Sequence, residues 1–305
     1  HRIKFSVHLM RAEAAAADRS QAVMEELLRR VPEPFNRCVV LYQRGTLEVL
    51  RSQMIRAAST IDECSTACID AGLPESRVLA VVGGLTFAMH HQQGRLAELA
   101  SFARPMIHEQ PGIPAWRVAV ALVAAEEGDH DEVRIQCDAL SVDDFGAFPE
   151  DFIWSGGMTG LGLAVATTGD VERCRKVYDR LSTHAGVLSW LGSGSFGPVD
   201  LALGDLAMVC RDDEVAARHY EIARRIATDW DAPAFLGWAE CGMARVHIAR
   251  RDHTTASELL SSAVARARRR GLSGVLSTVE AVCERDPWSS GTLPTFPREV
   301  SESRS

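Results

Sequence analysis

GPVDLALGDLAMVCRDDEVAARHYEIARRIAT, residues 197–228, contains one complete structural unit. Leu203-Gly204 and Ala207 put small residues into a first apolar stretch, and Arg211-Asp212-Asp213 interrupt it with a polar turn. Ala216, Tyr220 and Ala223 then recur at helical spacing. Two neighbouring helices approach closely only where Gly or Ala replaces a bulky side chain, and an aromatic ring fills the space left above. The stretch reads as a helical hairpin packed through Gly204, Ala216, Tyr220 and Ala223.

The same spacing recurs along the chain. Upstream come Leu161-Gly162, the turn Thr168-Gly169-Asp170, then Cys174, Tyr178 and Leu181; before them stand Ala121, Gly128-Asp129, Val133, Cys137 and Leu140. Downstream come Met243-Ala244, Arg251-Asp252, Ala256, Leu260 and Ala263. Two weaker units are anchored at Leu99 and at Cys64, the latter followed by Cys68 and Ala71. The anchors at 64, 99, 133, 174, 216 and 256 are separated by 35, 34, 41, 42 and 40 residues. One apolar face at i, i+4, i+7 is common to any amphipathic helix, but six units in register, four with a Gly-Asp or Arg-Asp turn at the same offset, call for a repeat. The pattern resembles the tetratricopeptide repeat. The expected fold is all-α, a right-handed α-solenoid of about six such hairpins over residues 59–286. Residues 1–58 are expected to continue an upstream helical region, and the Pro/Ser/Gly/Thr-rich residues 287–305 to be a disordered tail.

Composition agrees with a helical protein. The chain has 305 residues, of which 46% are hydrophobic and 24% charged, with only 10 Phe, 3 Tyr and 6 Trp. Net charge is −8 and the pI is near 5.7, so nucleic-acid binding would need a basic patch against the average, and none stands out. The run Arg266–Arg270, closed by Gly271, reads as a solvated helix C-terminus, as do Arg29-Arg30, Arg224-Arg225 and Arg250-Arg251. Prolines at 74, 114 and 149 mark first helical turns, and Asp18, Asp170 and Asp252 are expected N-caps. The uncharged run Phe152–Gly169 is too rich in Gly, Ser and Thr to span a membrane and reads as a tightly packed helix. The eight cysteines show no CxxC pair and read as reduced core residues of a cytoplasmic protein; the opening His1-Arg2-Ile3-Lys4 shows no leader and suggests a piece of a longer chain.

The stretch 92–274 is similar to the tetratricopeptide-type C-terminal region of large actinobacterial ATP-dependent regulators, including LuxR-type transcriptional regulators and ATPase–adenylate cyclase proteins. The resemblance is carried by His91-Gln92-Gln93-Gly94-Arg95-Leu96-Ala97-Glu98-Leu99, Pro114-Ala115-Trp116-Arg117, Pro149-Glu150-Asp151 with Trp154, Gly197-Pro198-Val199-Asp200 and Ala217-Arg218-His219-Tyr220. It implies a non-catalytic interaction or sensor module in signal transduction. Such a module would bind a protein segment, another copy of itself or a small inducer, with no cofactor of its own. No GxxxxGK[ST] loop occurs, and no helix-turn-helix follows Gly274; Phe296–Val300 is too short to form one. Any ATPase, cyclase or DNA-binding activity is therefore expected elsewhere in a parent protein.

Candidate chemistry is sparse. Gly192–Gly197 satisfies GxGxxG, but what precedes it reads as a helix end, so an inter-repeat connection is expected rather than a dinucleotide loop. His90-His91, and Cys64 with Cys68 at i, i+4, have metal-ligand spacing, yet no second ligand pair is evident and core packing is expected. Asp129–Glu132 reads as a capped turn. Trp116, Arg117, Trp154 and Trp238, near the starts of first helices, together with Asp200, are the candidate binding residues of a concave face; inter-repeat core is the alternative for each tryptophan, Trp190 included. An enzyme with a pocket near Gly192–Asp200, or a pure oligomerisation scaffold, are the competing readings.

Overall fold

The computed structural model describes residues 2–146, 148, 151 and 153–285. The expected first turn at Pro149-Glu150, the tail 287–305 and the string 296–300 lie outside these residues. The described chain is all-helical and has no strand. Its fifteen α-helices are α1 (Arg2–Met10), α2 (Ala14–Arg30), α3 (Pro34–Leu50), α4 (Met54–Asp70), α5 (Glu75–Gln93), α6 (Ala100–Glu109), α7 (Ala115–Glu127), α8 (His130–Leu140), α9 (Trp154–Ala166), α10 (Val171–Leu181), α11 (Val199–Val209), α12 (Asp213–Asp229), α13 (Pro233–Ala249), α14 (His253–Arg270) and α15 (Ser273–Arg285). Among the described residues no helix is long and apolar enough to cross a membrane.

Four turns are built alike. Asp129, Asp170, Asp212 and Asp252 cap α8, α10, α12 and α14, each carboxylate accepting from the backbone N–H three residues on. The residue before each cap is left-handed: Gly128 at φ 78°, Gly169 at 68°, Arg211 at 59° and Arg251 at 63°. Asp18, expected as a cap, instead lies inside α2 and pairs with Arg51 at 2.7 Å. Five of the six repeat anchors (Cys64, Val133, Cys174, Ala216, Ala256) are fully buried, while Leu99 falls on a 3₁₀ turn, Leu96–Leu99, leading into α6.

Small residues set the helix spacing where the sequence places them. The Tyr220 ring lies between α11 and α13; a Cβ on Gly204 would come within 2.5 Å of it and one on Gly242 within 2.3 Å. A Cβ on Gly162 would meet Ala202 at 3.2 Å, and the glycines of α9 admit Phe148, Val118 and the Trp190 carbonyl. That accounts for the uncharged stretch 154–166: it forms α9, a largely buried helix pressed by its neighbours.

Helices α7, α9, α11, α13 and α15 pack side by side as an inner row, with α8, α10, α12 and α14 outside. The row closes on itself. α15 packs on α5, and α5 reaches α7 through the turn Leu96–Leu99. At the closure Ser273 Oγ donates to the Gln93 carbonyl at 2.5 Å, and Gly94 and Gly274 allow backbone-to-backbone approach.

The N-terminal helices are part of this body. Phe5, Leu9, Leu47 and Leu50 share one core with Leu188, Trp190, Trp230 and Phe235, and the Leu188 N–H donates to the Met10 carbonyl. The division expected after residue 58 falls inside α4, which packs on both α3 and α5. Buried Gln92 ties these helices to α5, donating to the Val49 carbonyl and accepting from Ser52, both at 2.8 Å.

Candidate functional site: a central cavity

Closing the inner row leaves a cavity of about 930 Å³ at the C-terminal ends of its helices. α5 contributes His91, α7 Leu122 and Glu126, α9 Leu163, α13 Trp238, Arg245 and Ile248, and α15 Thr278 and Arg285. A deeper chamber of about 230 Å³ continues from it, floored by Phe196, Leu201, Asp205 and Gly242. The larger volume lies in the range of small-molecule sites, and the chamber extends it.

One wall is aromatic. The His91 ring lies 4.7 Å from the Trp238 ring, tilted by 31°, and meets Phe196 edge-on at 5.7 Å. Trp238 is fixed by its indole N–H, which donates to Thr278 Oγ1 at 3.1 Å. Burial disfavours the imidazolium and pushes the His91 pKa down to about 4, so the ring is neutral at pH 7. Two turns along α13 from Trp238 the lining is polar. Arg245 Nη1 donates to Asp205 Oδ1 at 2.6 Å, and the Tyr220 hydroxyl donates to the same oxygen at 2.7 Å. Burial opposes the guanidinium charge, but Tyr220 and Asp205 more than offset it, holding Arg245 above its ordinary value. Burial, reinforced by the Asp205 carboxylate, pushes the Tyr220 phenol well above its usual range. The cavity thus offers a flat neutral stacking surface and, two helical turns along α13, a fixed ion pair.

Of the five candidate binding residues picked from sequence, Trp238 lines this cavity and Trp116, Arg117, Trp154 and Asp200 do not. Trp116 lies against Phe102 and donates to Gln110, and Arg117 donates to Gln136. Trp154, at the opposite end of α9, stacks on His184 with Arg180 over its ring. Asp200 is fully buried: Oδ1 takes His219 Nδ1 at 2.8 Å and Oδ2 accepts the Gly186 N–H at 2.6 Å. His219 Nε2 in turn meets the Tyr178 hydroxyl at 3.0 Å. This Asp–His–Tyr chain braces the loop before α11 against α12 and α10, which corrects the picture of Asp200 as a concave-face contact. Trp190 is core.

The glycine-rich loop differs from an ordinary connection. Ser189, Trp190, Ser193, Ser195 and Phe196 are buried, and the loop folds on itself through Ser189 N–H to Gly197 O and Leu191 N–H to Gly194 O. Gly194 lies against the Gly84 carbonyl of α5, where a Cβ would come within 2.5 Å. The loop's glycines therefore serve close packing, and it delivers Phe196 to the cavity floor.

His91, Phe196, Asp205 and Arg245 were missed as a group. Asp205 and Arg245 carried the available signal, each one of only two formal charges in an otherwise apolar helix, beside Asp200 in α11 and Glu240 in α13. The three thiols of Cys38, Cys64 and Cys68 converge as well, because α3 brings Cys38 beside the pair on α4. No family model matches the chain, and no curated protein matches it.

Proposed function

We propose that the chain is a non-catalytic, tetratricopeptide-like sensor module, a right-handed array of helical hairpins closed into a ring, whose central cavity binds a small inducer. The observation that carries this reading is the cavity itself: about 930 Å³, lined by Trp238, His91 and Arg245, with Phe196 and Asp205 in the adjoining chamber. Stacking surface plus a fixed ion pair suits a flat molecule carrying one or two polar groups, such as an aromatic metabolite. The module would belong to a multidomain ATP-dependent regulator of signalling or transcription. Occupancy would change the fit between α5 and α15 and so reach the rest of the protein. A protein segment is the second candidate occupant, favoured by the open outer mouth at Glu126 and Arg285.

The test is thermal unfolding with and without a panel of aromatic and non-aromatic metabolites, ATP and cAMP, repeated with Trp238→Ala and Arg245→Met. A ligand bound only by the folded chain raises the midpoint as its concentration passes Kd. The proposal expects a shift with an aromatic metabolite that both substitutions abolish. A shift untouched by either substitution places binding elsewhere and ends this reading.

A further inference from the structure

Cys38 of α3 and Cys64 and Cys68 of α4 are all buried, and their sulfur atoms lie within 4.8 Å of one another. Cys38 Sγ and Cys68 Sγ are 2.6 Å apart. An ion holding sulfur at roughly 2.3 Å spans sulfurs up to twice that distance apart, so one ion reaches all three with small side-chain rotations. Among the described residues no His, Asp or Glu joins the group, so the donor set is sulfur alone, which selects soft, thiophilic ions. The surroundings are Leu41, Ala67, Leu73, Val78 and Val81.

Charge narrows the choice. Among the described residues the hydrogen-bond partners of the three sulfurs are one another and the Cys38 carbonyl, and the side chains packed round them are apolar. Three thiolates around a monovalent ion carry two negative charges and around a divalent ion one, and a buried uncompensated charge is costly. Around a trivalent element the complex is neutral. We propose that Cys38, Cys64 and Cys68 form a three-sulfur site for arsenic(III) or antimony(III), taken up as the neutral hydroxide. Three S–H and three element–OH bonds break, three element–sulfur bonds form and three waters leave, with no change of oxidation state.

The test is mass spectrometry of the full reduced chain after arsenite or antimonite treatment and desalting, followed by alkylation mapping of all eight cysteines. One arsenic or antimony per chain is expected, with Cys38, Cys64 and Cys68 protected. Single Cys→Ala variants at these positions should weaken retention at least tenfold, and Cys283→Ala should not. Mapping on the unsubstituted chain decides the matter even where a variant fails to fold. No retained element, protection at other cysteines, or preferential uptake of Cu(I) at equal concentration overturns the proposal. So does a chain that only forms a Cys38–Cys68 disulfide under peroxide.

Discussion

Gly242→Ala and Gly83→Ala are chemically identical changes for which the fold demands opposite outcomes. Both residues are helical, and replacing Gly by Ala in a helix interior gains about 1 kcal/mol in backbone terms. At Gly83 of α5 a new Cβ meets nothing within 4 Å, so that gain should appear undiminished. At Gly242 the Cβ would lie 2.3 Å from Tyr220 Cε1. Tyr220 is held from both sides, with Gly204 as close on its other side, and its hydroxyl is tied to Asp205. The ring must move, at a cost of about 1–3 kcal/mol for overpacking and about 1 kcal/mol for the strained hydrogen bond. Gly242→Ala should therefore destabilise by about 2 kcal/mol, some 3 kcal/mol apart from Gly83→Ala. Urea unfolding measures both. In the Tyr220→Ala background the Gly242→Ala penalty should vanish, since the atom it meets is gone. If Gly242→Ala stabilises as Gly83→Ala does, the close approach of α11, α12 and α13 around Tyr220 is refuted.

The left-handed positions give a second contrast: Arg251→Gly relieves a strained φ of 63° and should stabilise by about 0.5–1 kcal/mol, while Gly169→Ala, at φ 68° with open space around it, should destabilise by about 1 kcal/mol. Unchanged urea midpoints for both would contradict the turn geometry. Asp212→Ala removes the carboxylate that accepts the Val215 N–H and should cost about 1 kcal/mol, with Asp212→Asn recovering most of it. For His91 the folded pKa of about 4 lies below the ordinary 6.5, so the unfolded chain binds the proton first. Stability should be unaffected above pH 6.5 and fall as pH drops from 6.5 to about 4. The loss would be about 3 kcal/mol for a ring sealed from water, and less as cavity water reaches it. His91→Phe should flatten that limb of the pH–stability curve, and an unchanged curve would place the imidazole in solvent. Among folded variants, Arg245→Met should lower the urea midpoint more than Arg134→Met, because it leaves the part-buried Asp205 carboxylate facing Tyr220 with no cation beside it, whereas Asp131, the partner of Arg134, is 90% exposed.

Much of the local architecture follows from sequence because its causes are local. A left-handed residue followed by a capping Asp ends one helix and begins the next whatever surrounds it, and the Asp170 and Asp252 caps stand where sequence placed them. Gly204 and Tyr220 announce a close helix approach because one gap calls for one ring. Asp18 misled for the same reason: an N-cap residue type inside a helix looks identical until Arg51, 33 residues away, arrives as its partner. What lay beyond sequence depends on contacts between distant segments. No local signal states that α15 will meet α5, that residues 188–197 will turn inward to pack on α1 and α5, or that Cys38 will stand beside Cys64 and Cys68. The helices themselves, their caps and the small-residue notches were determined by the sequence alone, because spacing and backbone preference act within a few residues. The ring closure, the cavity and the sulfur cluster were decided by tertiary structure, because each exists only once helices far apart in the chain share a surface.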